Sequence, residues 1–105
     1  MASAWSIVLT PSAEDDLLAI GRYTEAQWGT EQRDSYLRGI EKTLEKIRLN
    51  PLASVERGYW QPGLRSVTHH KQYYIIFRVI ETEQKIQVYR ILHTHRDIGS
   101  ALDNG

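Results

Sequence analysis

The feature that most constrains this chain is the pair Gly29-Thr30. On its N-terminal side Ala13, Leu17, Ile20, Thr24 and Trp28 recur every three or four residues. On its C-terminal side Leu37, Ile40, Leu44 and Ile47 do the same, with Tyr36 beside them. Each series is the apolar stripe of an amphipathic helix. With only a glycine and a threonine between them, the two helices must fold back on each other as a hairpin. The first begins at Thr10-Pro11, where the threonine can cap the leading amides and proline loses nothing by lacking an N–H. Glu14, Asp15 and Asp16 follow, well placed for the positive end of the helix dipole. Thr30 reads as the cap of the second helix, which stops at Asn50-Pro51 because a residue before proline is pushed out of helical geometry.

Outside the hairpin the chain reads as strand or loop. "WSIVLT" alternates Trp5, Ile7 and Leu9 against Ser6, Val8 and Thr10, the period of a half-buried strand. "LRSVT" (64–68), "YYIIFRVI" (73–80) and "IQVYRIL" (86–92) follow a loop, "PLASVERGYWQPG", and their short connections favour an antiparallel meander. The fold class is therefore α+β in the order β-α-α-β-β-β: a small, mainly antiparallel sheet with a helical hairpin packed on one face. Residues 1–105 form one domain, with the hairpin at about 11–50 and the C-terminal sheet at about 64–93. Trp5 is assigned to the core and Trp28 to the hairpin bend. "GSALDNG" (99–105) reads as a frayed polar tail. In the strand at 73–80, Tyr73, Ile75, Phe77 and Val79 point one way, and Tyr74, Ile76, Arg78 and Ile80 the other. Both faces are apolar while the helices cover one, so something else must cover the second.

Composition removes several function classes. The 13 basic and 13 acidic residues cancel, which argues against a protein whose affinity comes mainly from nucleic-acid phosphates. There is no cysteine, excluding disulfides, thiolate metal sites and thiol nucleophiles. No secretory signal and no apolar run of roughly 20 residues is present, so a cytoplasmic protein without membrane contact is expected. His93-Thr94-His95 places two imidazoles on one side of a strand, where both could reach one ion. Further ligands could come only from His69, His70 or Asp97, and no carboxylate lies in a suggestive pattern with them. No metal and no cofactor is expected, and "ILHTHRDI" reads as a strand end with Arg96 and Asp97 pairing locally. His69-His70, with Lys71 and Gln72, reads as a solvated turn. The helical face bearing Arg33, Lys42, Glu45 and Lys46 is assigned to solvent.

The order of elements, and the pieces "LTPSAEDDL" (9–17), "WGTEQRDSYL" (28–37), "NP" (50–51), "PGLRSV" (62–67), "YYIIFRV" (73–79) and "RILHTHRDI" (90–98), resemble the ParE branch of the RelE/ParE toxin–antitoxin superfamily. The resemblance runs from about Leu9 to Ile98. It implies a non-enzymatic bacterial toxin that poisons DNA gyrase by binding and is neutralised by a ParD-like antitoxin. That antitoxin would wrap the toxin and carry the complex to operator DNA, so the chain itself is not expected to touch nucleic acid directly. The candidate antitoxin contacts are Arg65, Tyr74, Ile76 and Arg78, on the apolar face and its flanks. The candidate target contacts are Tyr59, Trp60, His93 and Arg96. The alternative is the RelE-like chemistry of ribosome-dependent mRNA cleavage, which would set Arg65, Arg78, His93 and Arg96 around a scissile phosphate. Against it, the last tyrosine is Tyr89, inside the strand, with none after Leu92 to serve near the C-terminus. A second alternative is a decoy that binds antitoxin without toxicity. Gyrase against topoisomerase IV, and monomer against homodimer, stay open at this level.

Overall fold

The structure, a computed structural model, describes residues 5–103. Its elements are β1 (Ser6–Leu9), α1 (Pro11–Trp28), α2 (Thr30–Leu49), β2 (Val55–Glu56), β3 (Leu64–His69), β4 (Tyr73–Ile80), β5 (Lys85–His93) and α3 (Ile98–Asp103). The strands form one sheet in the order β1-β5-β4-β3-β2. β1 runs parallel to β5, and the remaining pairs are antiparallel. The expected order is present, with two additions: the two-residue strand β2 and the helix α3.

The hairpin forms as its spacing requires. The Ala13 N–H donates to Thr10 Oγ1 at 3.1 Å, and that hydroxyl donates in turn to the Tyr89 carbonyl at 2.8 Å, so the cap of α1 also ties it to β5. Gly29 joins the helices at φ 92° and ψ 174°, a conformation that carries steric cost for any residue with a Cβ. Thr30 is not the cap of α2 but its first residue, and Gly29 in the cap position contributes no side-chain bond. Trp28 does not pack at the bend; it is 70% exposed. Ala13, Ile20, Ile40, Leu44 and Ile47 of the hairpin close over Ile75, Phe77, Ile86, Val88 and Ile91 of the sheet, with Trp5 packed at the margin. Each large side chain so buried contributes about 1.5–3 kcal/mol.

The second face is covered by the chain itself. Residues 98–103 are not frayed: they form α3, whose Ile98, Ala101 and Leu102 pack on Leu64, Ile76 and Leu92. Asn104 and Gly105 of the expected tail lie outside the described residues. A helix this short does not hold in water on its own, so its existence rests on that contact. Asp97 starts it, accepting from the Ser100 N–H at 3.3 Å and the Ser100 hydroxyl at 2.9 Å, and its partner is thus Ser100 rather than Arg96.

One of the three carboxylates at the start of α1 has a second use. β1 accompanies β5 only as far as Leu9 opposite Val88. Beyond that point Asp16 takes over the strand edge. Its Oδ2 accepts the Ile91 N–H at 2.9 Å, and its two oxygens hold the Arg90 guanidinium at 2.8 and 2.9 Å. This contact fixes the hairpin on the sheet.

Candidate functional site

The cations proposed for phosphate chemistry do not converge. Arg65 stands opposite Phe77 and shares its side of the sheet. It binds Glu56 at 3.0 Å and the carbonyls of Ser54 and Leu52 at 3.0 and 3.4 Å. Arg78 stands opposite Leu64 on the other face. There it donates to the Pro62 carbonyl at 2.7 Å and Gln61 Oε1 at 3.1 Å, and its guanidinium lies 5.7 Å from the Tyr89 ring centre. Gly63 takes φ 85° in this loop, a conformation that favours glycine, and a Cβ there would stand 3.1 Å from Arg78 Nη1. His93 sits at the far end of β5, and Arg96 is exposed in the turn after it. Arg65 and Arg78 therefore act as ties for the 51–63 segment, on opposite faces.

The antitoxin and target candidates sort differently from their expected grouping. Ile76 is wholly buried under α3, so it is not an open contact, and the reading of that face as uncovered is corrected. Tyr74 stays half-buried at the margin, edge-on to Trp60 with ring centres 5.1 Å apart. Tyr59, 73% exposed, leans on Trp60 at 5.6 Å. Between these rings lies a residue the sequence reading passed over. The Arg57 guanidinium is 5.1 Å from the Trp60 ring centre, 5.5 Å from Tyr74 and 6.0 Å from Tyr59. It donates to the buried Ser66 hydroxyl at 2.9 Å and to the Tyr59 oxygen at 2.7 Å. Neither Arg57 nor Arg78 forms an ion pair among the described residues, so their charge is held by neutral acceptors and rings. Aromatic faces around a guanidinium attract it through their quadrupoles and hold it in place. The signal available in the sequence was "RGYWQPG": a cation and two large aromatics in one loop.

The histidines collect at the opposite end of the sheet. Tyr36 of α2 meets His69 edge-on at 5.3 Å, His70 at 6.2 Å and Tyr73 at 6.2 Å. Tyr73 meets His93 at 5.4 Å, and His93 meets His95 at 4.8 Å. Burial, and then the neighbouring Tyr73, push the Tyr36 phenol up to about 12. Burial, and then Tyr23, raise that of Tyr73. His69 is not part of a solvated turn: it is 4% exposed, and its Nδ1 lies 2.9 Å from the Thr43 hydroxyl. That hydroxyl also lies 3.3 Å from the Gly39 carbonyl. Nε2 has no hydrogen bond and faces Gly39. Burial, and then the adjacent His70, lower the His69 pKa. Among the described residues no three of His, Asp and Glu converge as a metal site would require. No helix among them is long and apolar enough to cross a membrane.

Comparison with known proteins agrees with this architecture. Residues 7–98 match the family described as the ParE toxin of the type II toxin–antitoxin system parDE. Toxin ParE1 of Mycobacterium tuberculosis is 28% identical over 91 residues, spanning 87% of this chain and 91% of that protein. A chain of the chromosomal ParDE TA system from P. aeruginosa superposes with a TM-score of 0.74 at 24% identity, covering 88% of this chain and 98% of that one. The isolated E. coli RelE toxin superposes with a TM-score of 0.60 at 16% identity, covering 96% and 97%. The two structural likenesses are likenesses of fold.

Proposed function

The chain belongs to the ParE family of toxins of type II toxin–antitoxin systems, and we propose that it acts by binding DNA gyrase in a DNA-cleaved state, with a ParD-type antitoxin to neutralise it. Poisoning of this kind needs no chemistry from the toxin. A ligand that prefers one state of an enzyme raises that state's population, and a preference of about 10⁴-fold moves it from rare to dominant. The observation that carries a binding rather than a cleaving role is the placement of Arg65 and Arg78 on opposite faces, far along the strands from His93 and Arg96. Such an arrangement does not bracket a phosphate.

The antitoxin surface in this reading is the box of Arg57, Tyr59, Trp60 and Tyr74, with Arg78 beside it. Trp60, grouped by sequence with the target contacts, stands against Tyr74, and Tyr59, grouped with it, leans on Trp60, so the three rings form one continuous surface. Two guanidiniums without carboxylate partners suit an acidic stretch carrying apolar anchors. The fold shared with a chain of a ParDE system supports a ParD-type partner. His93 and Arg96, at the other end, remain for the target.

Expression without antitoxin tests the reading in bacterial cytoplasm. Growth should stop, and co-expressed antitoxin should restore it. Tyr59→Ala and Tyr74→Lys should keep the arrest but weaken antitoxin binding by about tenfold, as for truncated aromatic anchors elsewhere. Undisturbed growth on expression of the chain alone would indicate a decoy and contradict the proposal.

A further inference from the structure

The turn between β3 and β4 is tight and conformationally costly. The Gln72 N–H donates to the His69 carbonyl at 3.0 Å, which leaves His70 and Lys71 as its two central residues. Both take positive φ, 50° and 59°. Two-residue hairpin turns of this hand favour asparagine and glycine, and a lysine there carries steric cost. The contacts that keep the chain in this shape lie on either side of it. Gln72 Oε1 accepts the Tyr36 hydroxyl at 2.6 Å, and the Gln72 carbonyl accepts the Thr94 N–H at 2.9 Å. The Thr94 hydroxyl donates to the Lys71 carbonyl at 3.1 Å.

At the head of the turn, His69 is pressed against α2. Its buried ring lies edge-on to Tyr36, with Nδ1 at the Thr43 hydroxyl. Nε2 is buried without a partner, on the side of the helix where Gly39 contributes no side chain. A neutral imidazole carries one N–H, whereas a charged one carries an N–H on both nitrogens. Thr43 can accept one of these, and nothing accepts the other. The surroundings do not offset the charge. Tyr36 of α2 and Tyr73 of β4 are phenols whose pKa is raised, in both cases first by burial, so they stay neutral. His70 stands edge-on at 4.3 Å, Lys71 follows it, and Lys46 of α2 shares a cleft with Thr43 and Thr68. Among the described residues no carboxylate acts on the ring. An unpaired buried charge of this kind is relieved by moving the group into water.

We propose that the β3–β4 turn is a proton-operated clasp, shut on α2 while His69 is neutral and sprung when His69 takes a proton. Opening brings the ring into water and lets His70 and Lys71 leave the left-handed region, so charge and strain act in the same direction. It also frees Gln72, and with it Tyr36 and the Thr94 segment that leads to Arg96. Burial, and then His70, hold the His69 pKa below its ordinary 6.5. The shut form is therefore fully favoured above that value and loses ground as pH falls through it toward the lower pKa of the buried ring. Across that window each pH unit raises the ratio of open to shut by up to about tenfold. The clasp works in the chain by itself, without gyrase or antitoxin.

Amide hydrogen exchange of the full chain from pH 8 to pH 5, corrected for its intrinsic pH dependence, tests the clasp. Protection of the Gln72 and Thr94 amides should fall by up to about tenfold per pH unit below 6.5. The Ile91 amide, held by Asp16, should keep its protection. His69→Gln should flatten the profile. His70→Asn combined with Lys71→Gly relaxes the backbone and leaves His69 in place, so opening at a given pH should drop about tenfold. This double variant decides the question even where His69→Gln does not fold. Protection at Gln72 and Thr94 unchanged down to pH 5, equal loss at Ile91, or a pH dependence that survives in His69→Gln would overturn the proposal. So would a double variant that opens as readily as the parent chain.

Discussion

Asp16→Ala is the substitution whose cost follows most directly from the geometry. It removes both contacts to Arg90 and the one to the Ile91 N–H. A hydrogen bond to a charged group contributes about 1.5–3 kcal/mol, and an amide left without a partner in a half-buried setting costs about 1–3 kcal/mol. Breaking a fully buried ion pair costs about 3–5 kcal/mol. Here both side chains keep 14% of their exposure, so water can partly replace the lost partner. A loss near the lower end, about 3 kcal/mol, is expected. For a domain of this size that lowers Tm by roughly 12–20 °C. Asp16→Asn should cost about half as much, because an amide oxygen can still accept from Ile91. Urea denaturation at 25 °C of the Asp16→Ala, Arg90→Met and double variants gives the coupling directly, expected at about 1–3 kcal/mol. A loss below about 1 kcal/mol for Asp16→Ala, with additive single effects, would refute the role of this contact in holding the hairpin on the sheet.

Three further outcomes are expected. Because burial and then His70 hold the His69 pKa below its ordinary 6.5, the unfolded chain protonates first. The stability His69 contributes is thus whole above 6.5 and is lost as pH falls through that value toward the lower folded one; Tm measured from pH 8 to pH 5 should fall, and less so in His69→Gln. Gly29→Ala should cost about 1–3 kcal/mol from its backbone conformation alone, since nothing crowds the added methyl, whereas Gly58→Ala should stay within about 0.5 kcal/mol in the same denaturation assay. Ile76→Asp should abolish folding, as a carboxylate in that place has no partner and no water; Leu102→Ala should cost about 2 kcal/mol, limited by the free energy with which α3 docks, and should raise dye binding to the freed apolar face.

The parts legible in the sequence are those fixed by local rules. The helix stripes, the break at Gly29, the stop at Asn50-Pro51 and the strand Tyr73–Ile80 all follow from spacing and from the neighbours of glycine and proline. What was missed depends on distant partners. Asp16 looks like either of its acidic neighbours until β5 is beside it, and the partner it finds is 74 residues away. His69 is buried because α2 brings Thr43 and Gly39 onto it, which a turn-like "HHKQ" does not announce. α3 is a different case. Ile98, Ala101 and Leu102 carry helical spacing, but six residues cannot nucleate a helix unaided, so the pattern has meaning only with Ile76 and Leu92 beneath it. The Arg57 box is assembled from separate segments in the same way. Its aromatic residues were visible, and their convergence was not.

The most direct test of the account is purified protein added to DNA gyrase on supercoiled plasmid, with the enzyme then denatured and linear DNA quantified, beside ribosome-bound mRNA under the same conditions. The account predicts that cleaved plasmid accumulates with added protein, that Arg65→Ala and Arg78→Ala variants retaining the fold do so too, and that the mRNA stays whole. Intact plasmid together with mRNA cut by the parent chain but not by those variants would contradict it, and would make the arginines catalytic despite their placement on opposite faces of the sheet.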